Sequence, residues 1–197
     1  MIPTVTGLHP RKGDRVAVDL DGKRWRVLPA NVVVRSGLRA GRQLDRPVAR
    51  ELARELRRAK ALVAATRSLA AAGGSQRDLE QRLARAGHSA VARDDAIAAL
   101  GRIGVLDDVR LADSRAEVLA RRGYGDMGIR SDLEKRLIPA ELAANAVAAL
   151  EPELDRARRL ITGQTITPAL LRRLSGRGFS RETLEEVAST VGFAQEA

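Results

Sequence analysis

Hydrophobic and polar residues alternate along the first part of the chain, in the segment 15–28. This alternation is interrupted once, by Asp21-Gly22, a pair that favours the two-residue turn of a β-hairpin because both positions need a positive φ. The alternating apolar positions are Val16, Val18, Leu20, Trp25 and Val27. We expect residues 2–9 to add a third strand and residues 29–38 to form a short helix that ends at Gly37.

From residue 46 the apolar positions recur with a helical period instead. Asp45 is placed to cap a helix, Pro47 suits its first turn, and Gly73-Gly74 ends the pattern. The predicted apolar face consists of Val48, Leu52, Leu56, Ala59 and Val63. The pattern leaves open whether residues 46–71 form one helix or two helices joined near Arg57-Arg58.

The remainder of the chain contains an internal repeat, because the segments 78–100, 128–150 and 169–191 can be aligned with one another. In each copy two apolar residues four positions apart lie on one predicted helix, a short turn follows, and a second helix closes the segment. The aligned positions are Leu79, Ile129 and Leu170, then Leu83, Leu133 and Leu174, then the turn residues His88, Ile138 and Phe179, and finally Leu100, Leu150 and Val191.

A further helix is predicted ahead of each copy, at residues 60–71, 107–123 and 153–163. A unit of roughly 40 to 50 residues buries its apolar faces poorly alone, so we expect neighbouring units to stack. The predicted fold is mainly α: three tandem three-helix repeats in an elongated curved array, preceded by a small β-rich N-terminal module. The predicted parts are a basic hairpin-containing module at 1–45, a connecting helix at 46–59, and repeats at 60–106, 107–150 and 151–197.

Positive charge is concentrated near the N-terminus. The chain has 35 Lys and Arg against 25 Asp and Glu, a net charge of +10. Residues 1–59 hold 14 of these cations against 6 carboxylates, and residues 60–197 hold 21 against 19. This balance favours a polyanion or an acidic protein surface as partner. The first candidates for phosphate contacts are Arg11, Lys12, Arg15, Arg24, Arg26, Arg35, Arg39 and Arg42.

A second group of candidates surrounds the stretch RRGYG at 121–125, which holds the single tyrosine of the sequence. Gly123 suits the end of a helix, and Tyr124 can pack its ring on the next helix. The same tyrosine beside arginines could also stack and form ion pairs with a nucleic-acid or acidic surface, and both interpretations can hold together. This group comprises Arg121, Arg122, Tyr124, Arg130, Arg172, Arg173 and Arg177.

Motifs of catalysis and metal binding are missing from the sequence. There is no cysteine, and no GxxxxGK[ST], GxGxxG or HExxH pattern occurs. His9 and His88 have no companion that would suggest a catalytic pair. In GVLDD at 104–108 we expect Leu106 to enter the core and an aspartate to cap a helix, in preference to binding a metal. We therefore predict no enzyme activity, no catalytic or metal-binding residues and no cofactor.

The sequence also gives expectations about location and assembly. The absence of cysteine is typical of a reducing compartment, and no apolar run is long enough for a membrane span or a signal peptide. We expect a cytoplasmic protein without a membrane partner. No heptad seam is present, so a monomer is expected.

Four stretches in a fixed order resemble the RecX family over residues 60–192. They are SQRDLEQRLARAGH, LGRIGVLDDVRLADS, RRGYGDMGIRSDL and LLRRLSGRGFSRETLEEV. Residues 1–59 are similar, more loosely, to the extra N-terminal part of longer family members. The resemblance implies a regulatory protein without catalysis that binds the groove of RecA filaments on single-stranded DNA. It implies inhibition of the ATPase, of strand exchange and of the stimulated self-cleavage of the SOS repressor, and so a place in homologous recombination and DNA repair.

Departures from the family pattern shift these expectations. Leu111 stands where the family usually has an aromatic residue, and Asp126-Met127-Gly128 stands where basic residues are common. The loss of charge beside Tyr124 places more of the expected contact with single-stranded DNA, and with double-stranded DNA as a further partner, on the N-terminal module.

An alternative function is a DNA-binding transcriptional regulator, because a three-helix unit can mimic a helix-turn-helix. Asn and Gln, common base-reading side chains, are scarce on the candidate recognition helices, which counts against this alternative.

Overall fold

The computed structural model describes residues 1–192, and its contacts divide the chain into two compact units. The first unit comprises Met1–Ala72 and Glu80–Arg102. The second comprises Gly73–Leu79 and the described residues from Ile103 onward. No helix in the described part of the chain is long and apolar enough to cross a membrane.

The N-terminal module is a three-stranded antiparallel sheet of β1 (Val5–Arg11), β2 (Arg15–Leu20) and β3 (Lys23–Pro29), in the order β1-β2-β3. The turn from β2 to β3 contains Asp21 and Gly22, whose φ angles are 47° and 79°. Two consecutive positive φ angles are those of a type I′ turn, so the predicted hairpin and the predicted third strand are confirmed.

The helices in chain order are α1 (Ala30–Arg35), α2 (Arg46–Ala72), α3 (Gln76–Arg85), α4 (Ala90–Arg102), α5 (Asp108–Arg121), α6 (Asp126–Lys135), α7 (Ala140–Ala148), α8 (Glu153–Ile161), α9 (Pro168–Gly176) and α10 (Arg181–Gly192). The mainly helical fold with a small N-terminal sheet is confirmed. The α3–α4, α6–α7 and α9–α10 pairs coincide with the three aligned segments. The stacking into an elongated array and the five-part division of the chain stay predictions.

Helix α2 is one continuous helix of 27 residues, about 40 Å long at about 1.5 Å per residue. Its N-terminus is capped as predicted, since the Asp45 carboxylate accepts the Val48 amide at 2.9 Å. Val48 and Leu52 are buried against the sheet and α1. The chain thus passes the proposed boundary at residues 59 and 60 without a break in the helix.

The second half of α2 does not follow the predicted apolar face. Val63 is 50% exposed, so the predicted apolar face is not buried along its whole length, and Ala61 and Ala65 are buried instead. Helix α4 packs against α2, and its own buried residues include Ala92 and Ala96. Small side chains let α2 and α4 approach closely, so α2 is buried along Ala61 and Ala65. Val63 lies on another side of the helix and stays at the surface.

The three turns inside the repeats share one hydrogen-bonding pattern. The amides of His88, Ile138 and Phe179 each donate to the carbonyl five residues earlier, at Leu83, Leu133 and Leu174. The preceding amides donate to Ala84, Glu134 and Ser175, which completes a Schellman motif in each case. The aligned turn positions are therefore equivalent in backbone geometry as well as in sequence.

This motif needs a residue with positive φ just before the aligned turn position. Gly87 and Gly178 supply it with φ angles of 80° and 83°, but in the middle repeat Leu137 adopts a φ of 58°. A side chain in this region is strained by its Cβ, at a cost of roughly 1–2 kcal/mol. The middle repeat thus keeps the turn despite an unfavourable residue.

The aligned apolar positions mostly lie in the core. Both apolar residues on the first helix of each pair are buried, namely Leu79 and Leu83, Ile129 and Leu133, and Leu170 and Leu174. The turn residues Ile138 and Phe179 are buried as well. His88 and Leu150 are only partly buried, and the side chain of Val191 lies outside the part that the structure describes.

Candidate nucleic-acid and protein interface

The turn between β1 and β2 carries three exposed cations, Arg11, Lys12 and Arg15. Arg11 and Arg15 face each other across the strand pair, and the turn between them includes Gly13 with a φ of 76°. Within residues 1–192 these three side chains form no ion pair. A protruding turn whose cations lack internal partners can present them to phosphate groups.

Two other cations of the N-terminal set are held by carboxylates. Arg24 Nε donates to Asp19 at 2.6 Å, and this hydrogen bond holds the pKa of Asp19 below its usual value. Arg35 Nε donates at 2.5 Å to Glu55, which is 3% exposed. Burial by itself raises the pKa of Glu55, but hydrogen bonds from Arg58 and Arg35 outweigh it and lower that pKa. These two arginines therefore have a structural role already.

The remaining three cations of that set differ in exposure. The Arg26 guanidinium lies 5.3 Å from the ring centre of Trp25, and Arg39 is exposed. Arg42 is half-buried, and its carbonyl accepts the Val5 amide at 2.9 Å, which ties the loop after α1 to β1. Five cations of the N-terminal set are therefore exposed and form no ion pair within residues 1–192: Arg11, Lys12, Arg15, Arg26 and Arg39.

In the second unit the structure brings the stretches RRGYG and RGF into direct contact. The Gly125 amide donates to the Arg177 carbonyl at 3.0 Å, and the Met127 amide donates to the Gly178 carbonyl at 3.0 Å. A Cβ on Gly125 would lie 2.3 Å from the backbone nitrogen of Phe179. The backbones approach closely only because these positions are glycine.

The helix end at RRGYG has the predicted structural role. Gly123, with a φ of 79°, and Tyr124 donate to the carbonyls of Ala120 and Leu119 and so form a Schellman motif at the end of α5. The Tyr124 ring lies against Gly128 at the start of α6, since a Cβ there would be 3.3 Å from the ring. Tyr124 is nevertheless 38% exposed, and its contact with a partner stays a prediction.

Two arginines of the predicted group, one from each stretch, meet at this contact. Arg177 donates to the Arg122 carbonyl at 3.4 Å, which places both arginines close to Tyr124. Arg121 instead pairs with Glu117 along α5, at 3.4 Å. We call the exposed set Arg122, Tyr124 and Arg177 the junction patch.

The other predicted residues of this group are less constrained. Arg130 and Arg172 are exposed and form no ion pair within the described chain. Arg173 donates to the Gln164 side chain at 3.3 Å. Contact of any of these residues with nucleic acid stays a prediction.

Sequence reasoning missed two groups that support the junction patch, the buried Arg156 and the half-buried Glu153. Arg156 is 3% exposed, donates to the Tyr124 carbonyl at 3.0 Å and forms an ion pair with Asp126. Glu153 accepts the Asp126 amide at 2.6 Å and the Ser180 hydroxyl at 2.6 Å, and these hydrogen bonds keep its pKa low although burial raises it. The only sequence signal was their position in α8 beside the buried Ala157.

The two aspartates of GVLDD both cap helices, as predicted for this stretch. Asp107 accepts the Arg110 amide at 3.0 Å at the start of α5. Asp108 accepts the Gln76 amide at 2.8 Å at the start of α3. Leu106 is buried, also as predicted. Each carboxylate thus satisfies an amide at a helix N-terminus.

His9 Nε2 lies 2.9 Å from an Asp19 oxygen, and His88 occupies the turn of the first repeat. Among residues 1–192, no three His, Cys, Asp or Glu side chains are grouped in a way that could hold a metal ion.

Comparison with known proteins gives a consistent result for the fold. No protein-family model and no curated protein matches the sequence. A crystal structure of the regulatory protein RecX is similar with a TM-score of 0.79 and 19% identity, covering 95% of this chain and 100% of that chain. A crystal structure of RecX from Lactobacillus salivarius is similar with a TM-score of 0.59 and 15% identity, covering 70% of this chain and 97% of that chain. The first match must include most of residues 1–59, so the chain has the RecX fold in its N-terminal module as well as in its helical part.

Proposed function

We propose that this protein is a non-enzymatic regulator that binds RecA filaments on single-stranded DNA and inhibits their ATPase, strand exchange and SOS co-protease activity. The observation that carries the proposal is the RecX fold across nearly the whole chain. The order of the four family-like stretches supports it independently, because the structure places two of them, RRGYG and RGF, in mutual backbone contact. A cytoplasmic location and a monomeric state belong to the same proposal.

The exposed cations form two sets, which suit contacts with different parts of the filament. In the turn between β1 and β2, Arg11 and Lys12 form no ion pair within the described chain and suit phosphate contacts. The junction patch is smaller and is rigidly supported by Arg156, so it suits a contact with the protein part of the filament.

The first test is ATP hydrolysis by RecA on single-stranded DNA, titrated with the intact protein. We expect turnover to fall as the protein approaches the filament concentration. Unchanged turnover together with no sedimentation on filaments would contradict the proposal. Retention of one specific duplex in gel retardation, in the presence of competitor DNA, would favour the helix-turn-helix regulator.

A charge-reversal pair locates the DNA contact without cutting the chain. A truncation at residue 60 would divide α2 and remove the buried Val48 and Leu52 from the core of the first unit. We therefore compare Arg11→Glu/Lys12→Glu with Arg46→Glu/Arg50→Glu, in which the same charge is reversed at exposed positions of α2. The first pair should weaken filament binding and reduce its salt dependence by about two phosphate contacts. The control pair should retain both.

A further inference from the structure

An open groove runs between β3 and the middle of α2 in the first unit, with a volume of about 610 Å³. Its apolar lining includes Val27 and Leu28 of the strand and Leu56 and Val63 of the helix. Val27 is 43% exposed and Val63 is 50% exposed. Two branched aliphatic residues are therefore left uncovered in a concave site, where a ligand could bury them.

Four cations border this groove: Arg15 and Arg26 on the sheet side, and Lys60 and Arg67 on the helix side. No Asp or Glu lines it. All four cations are exposed, and none forms an ion pair within residues 1–192. Lys60, Val63 and Arg67 lie three to seven positions apart on α2 and therefore on one face of the helix. The result is an apolar floor between two rows of positive charge.

The chemistry of the groove distinguishes between two kinds of polyanion. Single-stranded nucleic acid is held mainly by stacking its bases on aromatic rings or similar flat groups, beside a cationic path for the backbone. The floor here is aliphatic, and Trp25 is not among the lining residues. A protein segment with aliphatic side chains between carboxylates would fit instead. Its aliphatic side chains would cover the apolar floor of the groove, and its carboxylates would pair with the cations on both sides.

We propose that this groove is a docking site for an acidic, amphipathic protein segment, which inserts aliphatic side chains between β3 and α2 and places carboxylates against Arg15, Arg26, Lys60 and Arg67. The proposal goes beyond the recombinase function and stands independently of it, because charge and shape of the groove alone carry it. It also gives Arg15 and Arg26 a protein partner in place of the phosphate partner expected from the sequence.

The test measures binding of a fluorescein-labelled synthetic peptide, helical in design, with leucine on one face and glutamate on the other. Anisotropy is followed with the intact protein and with Val63→Glu and Lys60→Glu. Val34→Glu is the matched control, since Val34 belongs to the same unit, is 76% exposed and lies outside the groove. All three positions are exposed, and unchanged thermal melting verifies that each variant is folded.

We expect Val63→Glu and Lys60→Glu to weaken peptide binding by about tenfold or more, with Val34→Glu close to the unchanged protein. A peptide of the same composition in scrambled order should bind at least about tenfold more weakly. Equal loss in Val63→Glu and Val34→Glu, or equal binding of the scrambled peptide, would overturn the proposal. Displacement of the peptide by oligothymidylate, with the same sensitivity to Val63→Glu, would also overturn it and assign the groove to nucleic acid.

Discussion

Gly125 and Arg177 are joined by a backbone hydrogen bond of 3.0 Å, although 51 residues lie between them in the chain. This bond fixes the start of α6 against the end of α9, and the glycines on both sides allow the contact. The two most distinctive sequence stretches of the helical part are therefore two halves of one structural contact. Their first role is to hold consecutive repeats together, and the junction patch is the surface that this contact leaves exposed.

Gly125→Ala tests this contact directly. Gly125 has a φ of −82°, so alanine is tolerated by the backbone, but its Cβ would lie 2.3 Å from the Phe179 nitrogen. We expect a loss of about 3 kcal/mol in the free energy of unfolding, because backbone must move to relieve the overlap. Denaturant titration of the intact chain measures it. Gly176→Ala is the control, since a Cβ there meets no atom within 4 Å and alanine favours the helix. Equal stability of the two variants would show that the close approach is unimportant.

The left-handed backbone at Leu137 should make glycine more stable there than alanine. Its φ of 58° is unfavourable for any residue with a Cβ, whereas glycine adopts it without strain. We expect Leu137→Gly to be about 1 kcal/mol more stable than Leu137→Ala, because the two variants differ only in the Cβ. Thermal or denaturant unfolding of both variants measures the difference. A more stable alanine variant would contradict the assignment of strain to this turn.

Asp132 makes stability depend on pH in the acid range. Arg115 donates two hydrogen bonds to its carboxylate, at 2.8 and 2.9 Å, and lowers the pKa of Asp132 from 3.8 to about 2. A lowered pKa in the folded state contributes stability that is complete above pH 3.8 and is lost as the pH falls towards 2. The contribution is about 2 kcal/mol. Asp132→Asn should remove this part of the pH dependence, and an unchanged profile between pH 5 and 2, measured by denaturant titration, would refute it.

Glu55 is the one buried carboxylate among the residues that the structure describes, and two arginines donate hydrogen bonds to it. It is 3% exposed and accepts from Arg35 at 2.5 Å and from Arg58 at 2.7 Å, and Arg58 also pairs with Asp95 of α4. Its loss would break the hydrogen bonds from both arginines, but Arg35 is exposed to water and Arg58 keeps its pair with Asp95, so Glu55→Ala should cost about 2–3 kcal/mol.

Glu51→Ala supplies the comparison on the same helix. Glu51 pairs with Arg54 at 2.6 Å, one turn along α2 and near the surface, where such a pair contributes at most about 1 kcal/mol. Denaturant titration of both variants gives the difference between their free energies of unfolding. Similar losses would mean that burial of Glu55 has little energetic consequence.

Local elements and their order could be predicted from short stretches of the chain. The Asp21-Gly22 turn, the Asp45 and Asp107 caps and the three aligned helix pairs follow from rules that act over a few residues, such as positive φ at turns and amide satisfaction at helix ends. The resemblance of four ordered stretches to the RecX family likewise predicted the fold that the comparisons support.

Tertiary structure decided which face of each element is buried and which charges are available. Val63 lies at the surface because α4 packs against the alanines of α2, and Arg24 and Arg35 are occupied because folding brings Asp19 and Glu55 to them. The meeting of RRGYG with RGF, and the groove between β3 and α2, likewise arise from residues far apart in the chain. Periodicity records a preference for burial along one element, but a second element supplies the partner, and its position depends on packing that no short stretch of sequence encodes.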